Sequence, residues 1–149
     1  MDIHTIITTY QQTIQQSREK LSKVKNKIYR IGSLKLLLFV ACIAGIIYFV
    51  SAGWTTILGV IAITLIPFLV LVKYHNRLFN EKDYLEKEIE VNEQELSAIN
   101  YDYSCFDGGK EYIDSAHLYT FDLDIFGDKS LFQYLNRTCT AFGKQKLSE

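Results

Sequence analysis

Residues 36–72 read LLLFVACIAGIIYFVSAGWTTILGVIAITLIPFLVLV and contain no charged side chain. A small polar break at 51–53 (SAG) divides this stretch near its middle. The hydrocarbon core of a bilayer takes about 20 apolar residues per helix, with about 17 as the lower limit. We therefore predict a transmembrane helical hairpin over 34–73, with spans at 34–51 and 54–73. The alternative is a helical hairpin buried in a soluble protein, but the rest of the chain is too polar to cover it.

The sign of the charge changes along the chain. Residues 1–77 carry nine Lys/Arg against two acids, a net +7, and residues 78–149 carry seven against fifteen, a net −8. The cations before the hairpin are Arg18, Lys20, Lys23, Lys25, Lys27, Arg30 and Lys35, and those directly after it are Lys73 and Arg77. Because Lys and Arg concentrate in cytoplasmic loops, we predict a multi-pass protein of the inner (cytoplasmic) membrane with both termini in the cytoplasm.

The basic segment has two candidate partners. Near an anionic leaflet each Lys or Arg contributes about 1 kcal/mol, so membrane lipid is the first. Nucleic acid is the alternative partner for the same charges.

Apolar residues recur at alternating steps of three and four on both sides of the hairpin, which is typical of a coiled-coil seam. We predict one such helix over 1–33 and a second over 74–100. The seam residues are Ile3, Ile7, Tyr10, Ile14, Ser17, Leu21, Val24, Ile28 and Ile31 in the first helix, and Leu78, Lys82, Leu85, Ile89, Asn92, Leu96 and Ile99 in the second. The basic first helix and the acidic second helix favour antiparallel pairing within one chain. Pairing between two chains, giving a homodimer, is the alternative.

After Asn100 the periodicity ends and the chain becomes rich in Tyr, Asp and Gly. Residues 122–133 resemble a calcium loop only in part, because Phe126 and Gln133 occupy ligand positions. The glycines at 108–109 and 143 lack the spacing of a P-loop. We therefore predict no catalytic, cofactor-binding or metal-binding residue in this chain.

An ordered set of short motifs lies in the last part of the chain. The run is His117-x-Tyr119, then DLDIFG at 122–127, SLFQYLNRT at 130–138 and TAFGKQKL at 140–147. It resembles the MutS family of DNA mismatch-repair ATPases, where a Ser-Leu-x-x-x-Leu-(Asn/Asp)-Arg-Thr-x-Thr-x-x-Gly-x-x-x-Leu pattern enters the helical core (lever) domain. The matching residues are His117, Tyr119, Asp122, Asp124, Gly127, Ser130, Leu131, Leu135, Asn136, Arg137, Thr138, Thr140, Gly143 and Leu147. The aspartate-rich part is similar to MutS-related proteins that carry an N-terminal membrane hairpin.

The same residues also suggest local structure. Ser130 is expected to cap a short helix whose apolar face is Leu131, Phe132 and Leu135. Thr138 or Thr140 is expected to cap the next helix. The remaining motif residues there are Phe142 and Leu147, expected to face inward, and Gly143, expected to permit close helix contact.

The predicted fold class is mainly α: a transmembrane hairpin, an antiparallel coiled-coil stalk, and an irregular segment over 101–149 that leads into a MutS-like core. The resemblance implies the membrane-anchoring N-terminal region of a DNA-binding ATPase, with ATP, magnesium and DNA bound by a part of the protein beyond residue 149. The alternative is a self-contained membrane adaptor whose coiled coil binds a protein partner.

Overall fold

The fold is mainly α, as predicted. A computed structural model describes residues 2–49, 53–114 and 123–149. Two long helices, α1 (Ile3–Phe49) and α2 (Trp54–Ile99), pack against each other, and short helices follow. These are a 3-10 turn at Lys110–Tyr112, α3 (Leu131–Leu135) and α4 (Ala141–Ser148), and the described ranges contain no β-strand.

One stripe of α1 is shielded from solvent along nearly the whole helix. Its members are Ile7, Tyr10, Ile14, Ser17, Leu21, Val24, Ile28, Ile31, Lys35, Leu38, Cys42 and Gly45, all buried or half-buried. This confirms the predicted seam except at Ile3, which lies in the first turn of the helix and is exposed. The alternating steps of three and four continue past Ile31 into the uncharged stretch. A heptad repeat of this kind keeps one stripe on the partner by supercoiling the helices.

Helix α2 presents the matching stripe. Its members are Ile57, Val60, Thr64, Phe68, Leu71, His75, Leu78, Lys82, Leu85, Ile89, Asn92, Leu96 and Ile99, which include every predicted seam residue. Two successive steps of four, from Val60 to Thr64 and from Thr64 to Phe68, interrupt the alternation. Such a stutter locally unwinds a supercoil. Pro67 lies beside it on the exposed side of the helix, away from the seam.

The seam combines an apolar core with polar contacts between the helices. Val24, Leu78 and Leu85 form the buried core. Near it, Ser17 Oγ donates a hydrogen bond to Oε2 of Glu88 at 2.7 Å. Because residues early in α1 meet residues late in α2, the helices are antiparallel and pair within one chain. A homodimer stays a separate prediction.

The chain divides into two compact units, residues 12–89 and residues 1–11 together with 90–149. The predicted boundaries at 33/34 and 73/74 fall within α1 and α2, which continue through them without a break. These boundaries therefore stay predictions from composition. Helix α2 ends in a Schellman motif, in which the N–H groups of Tyr101 and Asp102 bond to the carbonyls of Ala98 and Ser97.

Candidate functional site

Hydroxyl side chains of the motif start both short helices. Ser130 Oγ accepts a hydrogen bond from the backbone N–H of Gln133 at 3.1 Å, which confirms the predicted cap of α3. Thr140 Oγ1 accepts from the N–H of Gly143 at 3.0 Å, so Thr140, not Thr138, caps α4. A Cβ at Gly143 would meet Thr140 Oγ1 at 3.0 Å. Gly143 therefore makes room for the cap, and the predicted close helix contact there stays a prediction.

Two buried amide side chains tie the motif to the preceding loop. Asn136 Nδ2 donates to the carbonyl of Asp107 at 2.9 Å, while its Oδ1 accepts from the N–H and the hydroxyl of Thr138. Gln133 Nε2 donates to the carbonyl of Phe106 at 2.8 Å. Both amides are almost fully buried. Removing either partner would leave a buried polar group without its hydrogen bond, which costs about 1–3 kcal/mol.

Arg137 connects the motif to α2. Its Nε lies 2.5 Å from Oε1 of Glu95, and a terminal nitrogen lies 3.3 Å from Oε2. The second terminal nitrogen donates to the carbonyls of Tyr134 and Asn136, and the guanidinium carbon lies 3.6 Å from the centre of the Phe106 ring. This arrangement uses the planar fork and the stacking face of arginine together, neither of which lysine offers.

Close contacts and positive φ angles explain three glycines. A Cβ at Gly108 would lie 2.2 Å from the carbonyl oxygen of Gly127, and the Gly127 N–H donates to the carbonyl of Gly108 at 2.8 Å. A Cβ at Gly109 would lie 2.8 Å from the ring of Phe132. Gly109 and Gly127 also have φ of +66° and +109°, which glycine adopts without strain. Asp124, a motif residue, has φ of +47° in the same loop.

Lys144 binds two carboxylates from the preceding loop, those of Asp107 and Glu111. Its hydrogen bonds to Asp107 and then to Glu111 raise the pKa of Lys144 to about 12. The same hydrogen bonds are the largest cause of the lowered pKa of the Asp107 and Glu111 carboxyls. At neutral pH all three groups are therefore charged, and α4 is joined to the loop at 107–111.

The rings of Tyr112, Phe126 and Phe132 pack together, with centroids 5.2–5.8 Å apart. They lie beside a cavity of about 550 Å³. Its lining also includes Leu131, Leu135 and Leu147, and the first two are more than half exposed.

Within the described residues most of the apolar motif side chains do not face inward, and their burial in a larger helical core stays a prediction. Only Phe132 is buried, while Leu131, Leu135, Leu147 and Phe142 are exposed, the last at 72%. The physical reason is that the described part of the chain brings no further helix over α3 and α4.

Three motif residues, His117, Tyr119 and Asp122, lie outside the described residues. Among those described, no group of three or more His, Cys, Asp and Glu side chains is arranged to hold a metal ion. Cys42, Cys105 and Cys139 are free thiols. The predicted absence of catalytic and cofactor-binding residues stays a prediction.

The uncharged stretch presents a second candidate functional surface. Helices α1 and α2 are both long and apolar enough to cross a membrane. Away from the seam, their large apolar side chains are exposed. They are Leu36, Leu37, Phe39, Val40, Ile43, Ile47, Tyr48 and Phe49 on α1, and Trp54, Leu58, Ile61, Ile63, Leu65, Ile66, Leu69 and Val70 on α2.

Several residues that build the C-terminal site were missed at the sequence level. Glu95, Phe106 and Asp107 belong to no recognisable pattern. Gln133 had a signal, because Ser130-x-x-Gln133 has the spacing of a capping box. In the structure its side chain accepts from the N–H of Lys129 at 2.7 Å.

Comparisons of the chain with protein families, with curated proteins and with solved structures find no match. The resemblance to the MutS family therefore rests on the motif residues alone. The structure adds a local role for the described ones, because Ser130, Asn136, Arg137, Thr138 and Thr140 all make side-chain hydrogen bonds.

Proposed function

We propose that residues 34–73 anchor this protein in a membrane as a two-helix hairpin, with both ends of the chain in the cytoplasm. The observation that carries the proposal is the exposed apolar surface of residues 36–49 and 54–72. In water this surface would be costly, because each square ångström of exposed apolar area forgoes about 25 cal/mol of burial free energy. In lipid it needs no protein cover.

The dimensions of the helices also support an anchor. Residues 54–72 of α2 rise about 28 Å at 1.5 Å per residue, close to the roughly 30 Å thickness of a hydrocarbon core. Aromatic side chains that favour the membrane interface lie near both ends. Tyr48, Phe49 and Trp54 lie beside the connecting turn, and Tyr74 follows Lys73 at the other end.

The competing interpretation is a hairpin buried in a soluble protein, and the exposure of its outer faces argues against it. The polar residues 12–33 and 74–89 of the same unit continue the two helices and leave the outer faces of residues 36–49 and 54–72 open. A soluble form would need protein outside the described residues to cover both faces.

The native cysteines test the orientation. Cys105 and Cys139 are exposed in the structure, and the proposed orientation puts both in the cytoplasm. A membrane-impermeant maleimide should therefore leave both unlabelled in intact spheroplasts and label both after permeabilisation. A matched variant carries Thr55→Cys, close to the turn, in a background of Cys105→Ser and Cys139→Ser. Because the turn is expected on the outer side, this cysteine should react in intact spheroplasts.

Labelling of Cys105 in intact spheroplasts would reverse the proposed orientation. Release of the protein from membranes by alkaline carbonate would contradict the anchor itself, since a transmembrane hairpin resists that extraction.

We further propose that these residues are the membrane-anchoring region of a MutS-like DNA-binding ATPase. The support is the order and spacing of the motifs from His117 to Leu147. In this hypothesis the hairpin tethers the protein, the paired helices form the stalk, and α3 and α4 begin the lever domain. ATP, magnesium and DNA would be bound by a part of the protein beyond residue 149.

The exposed leucines of α3 and α4 are consistent with this second proposal. A bundle that begins with these helices needs further helices to cover Leu131, Leu135 and Leu147. The test is to read the gene past the codon for Glu149 and to express the whole reading frame. A P-loop in that frame and DNA-stimulated ATP hydrolysis are the expected results, and a stop codon directly after Glu149 would contradict the proposal.

A membrane adaptor is the second candidate function, and the fixed loop at 106–111 favours it. This loop is held by Gln133, Asn136 and Lys144, so the C-terminal segment has its own internal support. An adaptor predicts that residues 130–149 of the 149-residue chain resist proteolysis in detergent. Rapid trimming of these residues would favour the lever-domain hypothesis, in which the missing helices complete the fold.

A further inference from the structure

The cations of the paired helices lie at several heights above the uncharged stretch, and those nearest to it form one set. We define the collar as Arg30, Lys35, Lys73 and Arg77, all within six residues of that stretch. At 1.5 Å per residue, Arg30 lies about 7 Å along the helix from Lys35, and Arg77 lies about 6 Å from Lys73. All four fall inside the compact unit 12–89.

A second set of cations lies much farther along α1. We define the distal pair as Lys20 and Lys23, both exposed. They are about 22 and 18 Å from Lys35 along the helix axis. Because α1 continues from Ile3 to Phe49 without a break, the distal pair cannot fold down towards the level of Lys35.

The two halves of the collar lie at the same level. Burial, and after it the positive charge of Lys35, lowers the pKa of His75. Two contacts bracket this level, Thr64 Oγ1 with Cys42 Sγ on one side and Lys25 with Glu86 on the other, so His75 and Lys35 lie at nearby heights in the seam. Beyond this level, Arg30 lies five residues from Lys35 on α1, about 7 Å, and Arg77 lies two residues from His75 on α2, about 3 Å.

The heptad register also places Arg30 and Arg77 on one face. With Ile28 and Ile31 at positions a and d of α1, Arg30 occupies position c. With His75 and Leu78 at a and d of α2, Arg77 also occupies position c. In an antiparallel pair the c and g positions of both helices share a side of the ribbon, so the two guanidinium groups point to the same side.

The collar cations are available for a ligand. All except the half-buried Lys35 are exposed, and none of the four forms an ion pair with another described residue. Lys25, on the opposite side of the ribbon, differs because it pairs with Glu86 at 3.0 Å. Lys25 is thus neutralised by a carboxylate of α2, whereas the four collar cations have no carboxylate partner among the described residues.

We propose that the collar binds the phosphate headgroups of anionic phospholipids, and that the distal pair takes no part. The inference rests on the proposed transmembrane hairpin, which places Lys35 and Lys73 at the level of the headgroups. Attraction to a charged leaflet decays over a Debye length of about 8 Å at physiological ionic strength. Arg30 and Arg77 lie within that distance, whereas Lys20 and Lys23 lie more than two such lengths away.

The test compares lipid selectivity in reconstituted vesicles. The 149-residue chain is placed in phosphatidylcholine vesicles, and electron spin resonance measures the association of spin-labelled phosphatidylglycerol relative to spin-labelled phosphatidylcholine. The wild-type chain should prefer phosphatidylglycerol. Arg30→Gln with Arg77→Gln should lower that preference roughly twofold or more, and high salt should lower it as well.

The distal pair supplies the matched control. Lys20→Gln with Lys23→Gln removes the same charge from exposed helical positions and should leave the selectivity unchanged. Arg30→Lys with Arg77→Lys keeps the charge and should retain the preference for phosphatidylglycerol. This variant separates loss of charge from loss of structure. An equal decrease in the collar and distal variants would overturn the proposal.

Separate measurements test the membrane anchor and the lipid site. Carbonate extraction of the same vesicles reports whether the hairpin is inserted. An inserted wild-type chain without any preference for phosphatidylglycerol overturns the collar but leaves the anchor in place, whereas extraction of the chain overturns the anchor. Collar-dependent binding of a labelled oligonucleotide in place of phosphatidylglycerol would identify nucleic acid as the partner and would also overturn the proposal.

Discussion

At the residue scale, Arg137 determines how the C-terminal segment is held to the end of α2. Its bidentate pair with Glu95, its two backbone carbonyls and its stacking on Phe106 all require a planar guanidinium group. We therefore expect Arg137→Lys to destabilise this segment although it keeps the charge. The pair is only half-buried, so the expected loss is about 1–2 kcal/mol.

Limited proteolysis of residues 100–149 measures this effect. A loss of that size should raise the rate of cleavage roughly 5- to 30-fold, because cleavage follows the population of the opened segment. Arg77→Lys is the control, since Arg77 is exposed and forms no described ion pair. Equal protection of Arg137→Lys and wild type would show that the guanidinium geometry is unimportant.

Lys144 makes the same segment sensitive to pH. The carboxyl pKa values of Asp107 and Glu111 are lowered from 3.8 and 4.5, chiefly by hydrogen bonds from Lys144. Their stabilising contribution is therefore complete above the unfolded pKa values and is lost as pH falls through the lower folded values. At the alkaline end, the Lys144 contribution is complete below 10.5 and is lost as pH rises through about 12.

Lys144→Met should remove this acid dependence. Near-ultraviolet circular dichroism of the tyrosine-rich segment measures it, because Tyr112 lies beside Lys144. The variant should lose less signal than wild type as pH falls below about 4, through the lowered folded pKa values of Asp107 and Glu111. Lys110→Met, which removes the exposed pair with Asp128, is the matched control and should titrate like wild type. Identical acid transitions in all three proteins would contradict the assignment.

At the element scale, the polar contact between Ser17 and Glu88 in the seam can be tested separately from the apolar core. Ser17 is only 2% exposed, and its hydroxyl donates to the Glu88 carboxylate. Ser17→Ala should reduce the stability of the helix pair by about 1–2 kcal/mol, because a hydrogen bond to a charged group is lost inside the seam. Ser22→Ala, at an exposed position of the same helix, should change it by less than about 0.5 kcal/mol.

Denaturation followed by far-ultraviolet circular dichroism, in detergent, compares the two serine variants. If both serine variants unfold at the same denaturant concentration as wild type, the Ser17–Glu88 contact has no net effect on stability. A polar residue in a coiled-coil seam commonly specifies the register of the helices at some cost in stability. Ser17 is a candidate for that role in this helix pair.

The helices themselves were largely predictable because their information is local and periodic. Residues at steps of three and four share one face of a helix, so the seam from Ile7 to Ile31 follows from spacing alone. The C-terminal contacts were not predictable in this way. Glu95 and Arg137 are 42 residues apart, and Asp107 and Lys144 are 37 apart, so only the folded chain brings them together. The cap Ser130 was predicted, and Thr140 was one of two predicted candidates, because capping acts over three residues.

At the scale of the whole molecule, the pairing of α1 with α2 within one chain can be tested without a membrane. Residues 36–72 are replaced by a short Gly/Ser linker, which is flexible enough to join the ends of the two stalk helices. The remaining seam keeps its buried core of Val24, Leu78 and Leu85. We expect a soluble, helical monomer by light scattering and circular dichroism.

A dimer in this experiment would mean that the seam pairs between chains. Val24→Asp in the same protein is the control for the readout, because a charge at this buried seam position should unfold the helix pair. Loss of helix in the control together with a helical monomer in the parent would confirm intramolecular pairing.

The sequence by itself determined the two long helices, their apolar seam and the uncharged stretch long enough to cross a bilayer. These properties depend on periodicity and on the absence of charge over 36–72, which neighbouring residues specify together. Only the tertiary structure decided that the helices pair within the chain, that the seam continues into the uncharged stretch, and that Arg137, Asn136 and Lys144 hold the C-terminal loop. These contacts join residues far apart in the chain, and their geometry exists only once the backbone is folded.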